Sequence, residues 1–387
     1  VNLLESDADK AFRVSVREWM HHHLAGEYEP LRHASGLGSP GYEPALAKRW
    51  ERELAAGGWT GLGWPRAHGG RDLPLAQQVV FHEEYARCGG PGRLGHIGET
   101  LLAPTLFAHG TPELQARFLP GILAGETYWA QGYSEPGAGS DLAAVRTRAL
   151  LDPDSGEWVI DGQKVWTSWA HESDWIFVLA RCEQGSLRHK GLVLLLVPLK
   201  QPGVTLRPIR QITGESEFNE VFFDAARTEG AMHLGAPGQG WAVAMYLLNC
   251  ERGASTLGQQ AHFRNEFEQV VAVARRNGAA RDPLLRQRIA QAALGLQTLR
   301  SHALRTSGGD APARASSISK YLWSNWRRSL GELAIDVLGA RGDTVVEDPL
   351  HVALQRLWLL SRADTIYAGT NEIQLNMMAE RALQMPR

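Results

Sequence analysis

The sequence predicts an α+β chain in which two helical regions enclose a central region of antiparallel strands. Three observations carry this reading. Apolar residues recur at helical spacing from Leu3 to about Gly125. Between about Glu126 and Met232 they fall into short β-rich runs separated by turn residues. From Gly240 onward helical spacing returns, in long segments. The expected domains are therefore residues 1–125 (helical), 126–232 (β) and 233–387 (helical). At 387 residues the chain is long enough for two or three domains sharing a continuous core.

In the first region, Ala11-Phe12, Val14-Ser15-Val16 and Trp19-Met20 belong to one helical stretch, and Ala76, Val79-Val80, Glu83 and Glu84 to another. Thr111-Pro112-Glu113 opens a later helix, with threonine as N-cap and proline at the first helical position. In the middle region, Trp158-Val159-Ile160 runs into the turn signal Asp161-Gly162 and is followed by Val165-Trp166-Thr167. Further runs cover 175–179, 192–197, 204–209 and 221–223. Short strands with no helical pattern between them predict an antiparallel barrel or sandwich, and the βαβ alternation of a dinucleotide-binding sheet is missing. Pro283, Pro312 and Pro349 stand near the joints of the last helices.

Composition excludes several classes. Apolar residues at 44% and charged residues at 21% are ordinary for a soluble globular protein, and a net charge of −2 gives no global field for nucleic acid or an anionic membrane. Cys88, Cys182 and Cys250 are far apart, which argues against a zinc site or disulfide framework and suits a reducing compartment. The longest apolar run, 191–199, is half the length of a membrane span, and the acidic, amphipathic N-terminus does not read as a signal peptide; the expected location is the cytoplasm. The contiguous His21-His22-His23 cannot present three ligands from one helix face and reads as a solvated helix end. No HExxH, GxSxG or phosphate-binding lysine loop occurs.

Four places could hold chemistry, and each has a plain structural alternative. Glu251 lies three, four and seven residues after Leu248, Leu247 and Ala244, on one helical face. A carboxylate on an apolar stripe has its pKa pushed upward and can serve as a general base; a salt bridge at the end of that face is the alternative. Ser134-Glu135-Pro136-Gly137-Ala138-Gly139-Ser140-Asp141 forces a tight, exposed backbone whose amides and hydroxyls can meet an anion, or is an ordinary turn. Trp166 and Ser168 stand two apart on one strand face, where they cover and hydrogen-bond a flat ring, or are a core tryptophan beside a surface serine. Thr370, in Tyr367-Ala368-Gly369-Thr370-Asn371-Glu372-Ile373-Gln374, opens a helix that offers an anion site or is simply capped.

Taken together, these segments resemble the acyl-CoA dehydrogenase family over nearly the whole chain. Gly63-Trp64-Pro65, His68-Gly69-Gly70, His109-Gly110-Thr111, Gln115 and Phe118-Leu119-Pro120 resemble its N-terminal domain. Ser134 to Asp141 and Gly162-Gln163-Lys164-Val165-Trp166 are similar to its two most specific motifs, and Gly203-Val204-Thr205 with Phe218-Asn219-Glu220-Val221 continues the β domain. Gly369 to Gln374, then Ala379-Glu380-Arg381, resembles the C-terminal signature. The style is that of the actinobacterial branch associated with lipid and steroid catabolism. The resemblance implies an N-terminal helical domain, a middle antiparallel β-barrel and a C-terminal four-helix bundle. It implies FAD as cofactor, an acyl-CoA as substrate, an electron-transferring flavoprotein as partner, and a dimer or tetramer. The reaction it implies is α,β-dehydrogenation to the trans-2-enoyl-CoA. By the same resemblance, Tyr133 and Ser134 meet the flavin's pyrimidine side, and Gly139 and Ser140 lie at the FAD pyrophosphate, with Ser140 also at the pantetheine arm. Trp166 lies against the flavin, Ser168 faces its N5, and Thr370 and Gln374 complete the FAD contacts.

Many members carry the base as a glutamate before the Gly-Thr of the C-terminal signature, but here that position is Ala368. A smaller group carries it on a helix before an arginine, which matches Glu251-Arg252; Asn249 and Arg252 then border the thioester and the CoA arm. Two stretches depart from the family. Asn277 to Pro283 lacks a Phe-Gly element that reaches a neighbouring subunit's FAD, and Asp336 replaces the glutamine of a Gln-x-x-Gly-Gly loop. These departures keep a hetero-oligomer open beside a homotetramer, and an acyl-CoA oxidase is the rival activity.

Overall fold

The computed structural model describes residues 6–36, 39, 41–250, 255–307, 316–344 and 347–386. Helices α1 (Asp7–His23), α2 (Pro44–Ala56), α3 (Leu75–Arg87), α4 (Ala103–His109) and α5 (Pro112–Leu123) come first. Strands follow: β1 (Trp129–Gly132), β2 (Arg148–Leu151), β3 (Glu157–Ser168), β4 (Trp175–Arg181), β5 (Leu192–Pro198), β6 (Val204–Ile209), β7 (Phe218–Glu229) and β8 (His233–Gly238). Helices α6 (Gly240–Cys250), α7 (Ser255–Arg276), α8 (Pro283–Ser307), α9 (Ser316–Leu338), α10 (Pro349–Ser361) and α11 (Asn371–Met377) close the chain. The expected order of helices, sheet and helices holds. By contacts the chain divides into a β unit (Trp19–Pro74 and Gly89–Glu251) and a helical unit (Val1–Glu18, Leu75–Cys88 and Arg252–Arg387).

In the β unit the strands follow the order β6-β7-β3-β2-β4-β5-β8, with β1 also on β4. Five of the seven pairings are antiparallel; β1 and β2 run parallel to β4, which the sequence reading did not foresee. The apolar run 192–197 is a strand buried on both faces, as a near-continuous hydrophobic strand requires. Leu192, Leu194 and Leu196 join a core with Leu102 and Leu106 of the α4 region, Phe118 and Ile122 of α5, and Val243 and Leu247 of α6. Val193, Leu195 and Val197 join a second core with Ile160, Ile176, Val178, Val221 and Phe223. Because β1 to β5 and β7 all feed this second core, the sheet curls around it.

One expectation fails locally. Asp161-Gly162 does not end a strand, since β3 passes through it for twelve residues. A bulge lies between Ile160 and Gly162, and Gly162 has φ +146°. A Cβ there would stand 2.7 Å from Thr147 Oγ1, so only glycine lets the strand kink and continue.

In the helical unit, α7, α8, α9 and α10 pack on one another, and α3 lies along α7. Val270, Val273 and Ala274 of α7 share a core with Leu330, Leu333, Ala334 and Val337 of α9 and Leu354 and Leu357 of α10. The start of α1 is held by charge. Arg13 bonds Glu84 at 2.7 Å and Glu83 at 2.8 Å, Arg17 bonds Glu84 at 2.9 Å, and Arg300 of α8 bonds Glu83 at 2.9 Å. Glu84 is fully buried, so these partners are obligatory. Among the described residues no helix is long and apolar enough to cross a membrane, and no group of three potential ligands could hold a metal.

Candidate cofactor and substrate site

The loop from Ser134 to Asp141 is stapled at both ends by residues given no role in the sequence reading. Glu135 and Ala138 exchange backbone bonds of 3.0 Å, closing a tight turn. The Glu135 carboxylate accepts from the amides of Arg146 (2.7 Å) and Thr147 (2.9 Å), and from Lys164 Nζ (2.8 Å). Lys164, on β3 and fully buried, also donates to Tyr133 O (3.1 Å) and Leu179 O (2.7 Å). Burial pushes the Lys164 ammonium down to about 8, against the pull of Glu135. Burial alone would raise the Glu135 carboxyl, but Lys164 and the bonds from Thr147 and Arg146 outweigh it and hold it below its usual value. At neutral pH both groups are charged. A signal was present in the sequence: Lys164 breaks the inward alternation of Trp158 and Ile160, and a charge at an inward position needs a buried partner.

Between the staples the backbone is open. Gly137, Gly139, Ser140 and Asp141 are exposed, and a Cβ on either glycine would meet nothing within 4 Å. Among the described residues, the amides of these four residues find no acceptor and the hydroxyls of Ser134 and Ser140 make no hydrogen bond. Tyr133 is buried, its ring edge-on to Phe177 at 5.9 Å. Ser134 O accepts from Val165 N at 2.9 Å, which ties this loop to the end of β3.

There Trp166 is not a core tryptophan: 58% of it is exposed, at φ +59°, in a second bulge between Lys164 and Thr167. The bulge turns the indole outward while Thr167 stays buried and Ser168 half-buried. Among the described residues the Ser168 hydroxyl has no partner, nor has the buried indole N–H of Trp169, which follows in the left-handed region at φ +53°.

The helical unit holds the remaining residues. Thr370 caps α11, accepting from Ile373 N at 3.2 Å. This helix has seven residues, so capping accounts for Thr370. Gln374 is 1% exposed; its Nε2 donates to Ala368 O at 3.3 Å and its Oε1 has no partner among the described residues. Gly369 at φ +86° lets the side chain close over it, where a Cβ would stand 2.6 Å from Nε2. The preceding turn is fixed by buried Asp364, which takes both Arg327 Nη1 bonds (3.1 and 3.0 Å) and the Tyr367 hydroxyl (2.9 Å), while Arg327 also bonds Glu266.

On α6, Ala244 and Leu247 are buried as the apolar stripe requires, and Asn249 is exposed. Glu251 and Arg252 lie outside the described residues. In the two departing stretches, Asn277 Nδ2 bonds Val337 O at 2.8 Å and Asp336 pairs with Arg288, so both side chains are engaged within the helical unit.

A dinucleotide flavin needs donors for a diphosphate and a face for a flat ring. The β unit offers both in one place: a loop with unused amides and hydroxyls, beside an outward indole and a free serine hydroxyl. These residues fit FAD.

Comparison with known proteins agrees. Residues 6–126 match the acyl-CoA dehydrogenase N-terminal domain, 130–226 the middle domain and 238–383 the C-terminal domain. The chain belongs to the acyl-CoA dehydrogenase family, FAD-dependent oxidoreductases that act on acyl-CoA. It is 56% identical to acyl-CoA dehydrogenase IpdE1 of Mycobacterium tuberculosis over 381 residues, 97% of each chain. The corresponding IpdE1 of Mycolicibacterium smegmatis is 54% identical over 387 residues, again 97% of each. The solved structure of the Tcur3481-Tcur3483 steroid ACAD superposes with a TM-score of 0.87 at 28% identity, covering 100% of both chains.

Proposed function

We propose that the chain dehydrogenates an acyl-CoA thioester between its α and β carbons, giving the trans-2-enoyl-CoA, with Glu251 as the base. The observation that carries the reading is the pairing of outward Trp166 and half-buried Ser168 with the unsatisfied loop from Ser134 to Asp141. FAD, when bound, supplies the hydride acceptor. The chain's own residues do the rest. The loop amides, with Gly139 and Ser140, take the diphosphate; Tyr133, Ser134, Trp166 and Ser168 hold and shield the ring; Thr370 and Gln374 are FAD contacts on the same family likeness. Glu251, at the end of an apolar helix face, takes the α-proton, and Asn249 and Arg252 border the thioester. A base positioned in this way is worth about 10²–10⁴-fold.

The acyl group favoured is a steroid- or lipid-derived one, supported by likeness to a structure described as a steroid ACAD. Electrons then pass to an electron-transferring flavoprotein, and the cytoplasm is the setting. The three-part division at 125/126 and 232/233 belongs to the same reading. A homo- or hetero-oligomer, dimer or tetramer, belongs to the same reading; Asn277 and Asp336 are engaged by Val337 and Arg288 within their own unit. Anaerobic titration of the FAD-loaded protein, with any partner subunit, against short, branched, long and steroid acyl-CoAs tests the function. Flavin bleaching with stoichiometric enoyl-CoA supports it; an unbleached flavin with every thioester contradicts it.

A further inference from the structure

Two tryptophans at the end of β3 adopt left-handed backbone, Trp166 at φ +59° and Trp169 at φ +53°, ψ +26°. A large side chain at positive φ is strained and stays there only where its surroundings hold it. Between the two lie Thr167 and Ser168, in register with Asn219 and Phe218 of β7. The Trp169 backbone is gripped on both sides: its amide donates to Glu217 O at 2.8 Å, and its carbonyl accepts from Ser173 Oγ at 2.9 Å. Its indole N–H is buried with no partner among the described residues, a second cost on the same residue.

The ring is backed by a wall with its own anchor. The His96 ring meets it edge-on, centroids 4.9 Å apart at 77°, and a Cβ on Gly36 would stand 3.8 Å from Trp169 Cζ2. Burial holds the His96 imidazole below its ordinary value, and its Nδ1–H donates to Arg93 O at 2.8 Å. The Arg93 guanidinium lies between two carboxylates. Glu51 of α2, itself buried, accepts from Nε (3.0 Å) and Nη2 (2.8 Å), and Glu99 pairs with Nη2 at 2.7 Å. Glu51 also accepts from Gly95 N at 3.0 Å and Glu99 from Gly61 N at 2.8 Å, so the cluster fixes the segment that carries His96.

We propose that Trp169 is a positioning residue which, backed by His96 and the Glu51–Arg93–Glu99 cluster, sets the direction of the Ser168 hydroxyl. This rests on the reading of Ser168 as a flavin contact given above. The peptide unit is planar, so only ψ of Ser168 and φ of Trp169 connect that hydroxyl to the anchored ring. Without the ring, residue 169 is free to leave the left-handed region, and the serine turns with it. A preorganised donor acts where charge develops, so a turned hydroxyl slows the chemistry more than it weakens thioester binding.

The test compares FAD-loaded wild type, Ser168→Ala, Trp169→Ala and the double variant by visible flavin spectrum and by flavin reduction with an acyl-CoA. Trp169→Ala should reproduce the spectral shift of Ser168→Ala and slow reduction about tenfold or more at saturating thioester. The thioester concentration for half-maximal rate should change little. The double variant should match Ser168→Ala alone, and Trp169→Phe, which keeps a ring against His96, should recover the wild-type spectrum. Should Trp169→Ala fail to retain FAD, His96→Gln removes the ring behind Trp169 and should show the same shift in weaker form. Effects that sum in the double variant overturn the proposal, as does a wild-type spectrum and rate in both Trp169→Ala and His96→Gln. Ser168→Ala with a wild-type spectrum takes Ser168 off the flavin, and the proposal with it. A wild type whose flavin no acyl-CoA reduces contradicts the dehydrogenase reading instead, and the spectra then still decide the coupling of Trp169 to Ser168.

Discussion

Lys164 Nζ lies 2.8 Å from Glu135 Oε1, and neither charge reaches solvent to any extent: Lys164 is fully buried and Glu135 is 8% exposed. A buried ion pair is weak support for stability, because desolvation offsets most of the attraction. Here it has a geometric effect, joining Tyr133, at one end of the loop from Ser134 to Asp141, to Arg146 and Thr147 beyond the other.

Lys164→Met removes the ammonium and leaves Glu135 buried without its partner. The expected cost is about 3–5 kcal/mol in urea unfolding, with weakened FAD retention. Adding Glu135→Gln to it should recover part of the stability but not the FAD affinity, since the loop stays unstapled. Equal stability of wild type and Lys164→Met would show that the pair does not hold the loop.

The contacts at Glu83 and Glu84 make an acid-sensitive joint in the helical unit. Burial alone would raise both carboxyls, but bonds from Arg13, with Arg300 on Glu83 and Arg17 on Glu84, outweigh it and hold both below the usual value of 4.5. A folded-state value below the unfolded one means that the unfolded chain takes up protons first as pH falls. Their contribution is therefore complete above about pH 4.5 and is lost as pH falls through the folded values. Glu84→Gln should cost about 3–5 kcal/mol at pH 7 and flatten the acid limb of a stability–pH curve. A limb identical to wild type would assign the acid sensitivity elsewhere.

Trp166 gives the cleanest separation of cofactor binding from folding. Its ring is 58% exposed, so Trp166→Ala should change unfolding free energy by no more than about 0.5 kcal/mol. Loss of a stacking face is worth about 1 kcal/mol, so FAD affinity should fall several-fold to tenfold, read by flavin fluorescence. Unchanged affinity with unchanged stability would remove Trp166 from the site.

Much of this was legible in the residues. Thr111 and Thr370 cap the helices that they were expected to open, because a hydroxyl before Pro112 or Asn371 has a local target independent of the rest of the fold. The apolar run 192–197 is a strand, because its length excludes a membrane span and its two faces meet two cores. What was hidden depended on distant partners. The Asp161-Gly162 signal reads as a turn until β7 is placed beside it, where the Asp161 carboxylate accepts Ala225 N at 2.9 Å and the glycine becomes a bulge. The exposure of Trp166 also follows from a bulge, which shifts the strand's alternation by one residue and leaves no mark in local spacing. Arg181 looks like an ordinary strand end, and only the folded hairpin shows that six acceptors converge on it.

We propose Glu251 as the group that takes the α-proton of an acyl-CoA, and stopped-flow reduction of the bound flavin by a good acyl-CoA tests that role most directly. Glu251→Gln keeps the side chain's size and removes the proton acceptor, so FAD content and product binding should persist. The reduction rate should then fall by about 10²–10⁴-fold. A Glu251→Gln protein whose flavin is reduced at the wild-type rate would contradict the account and place the base elsewhere.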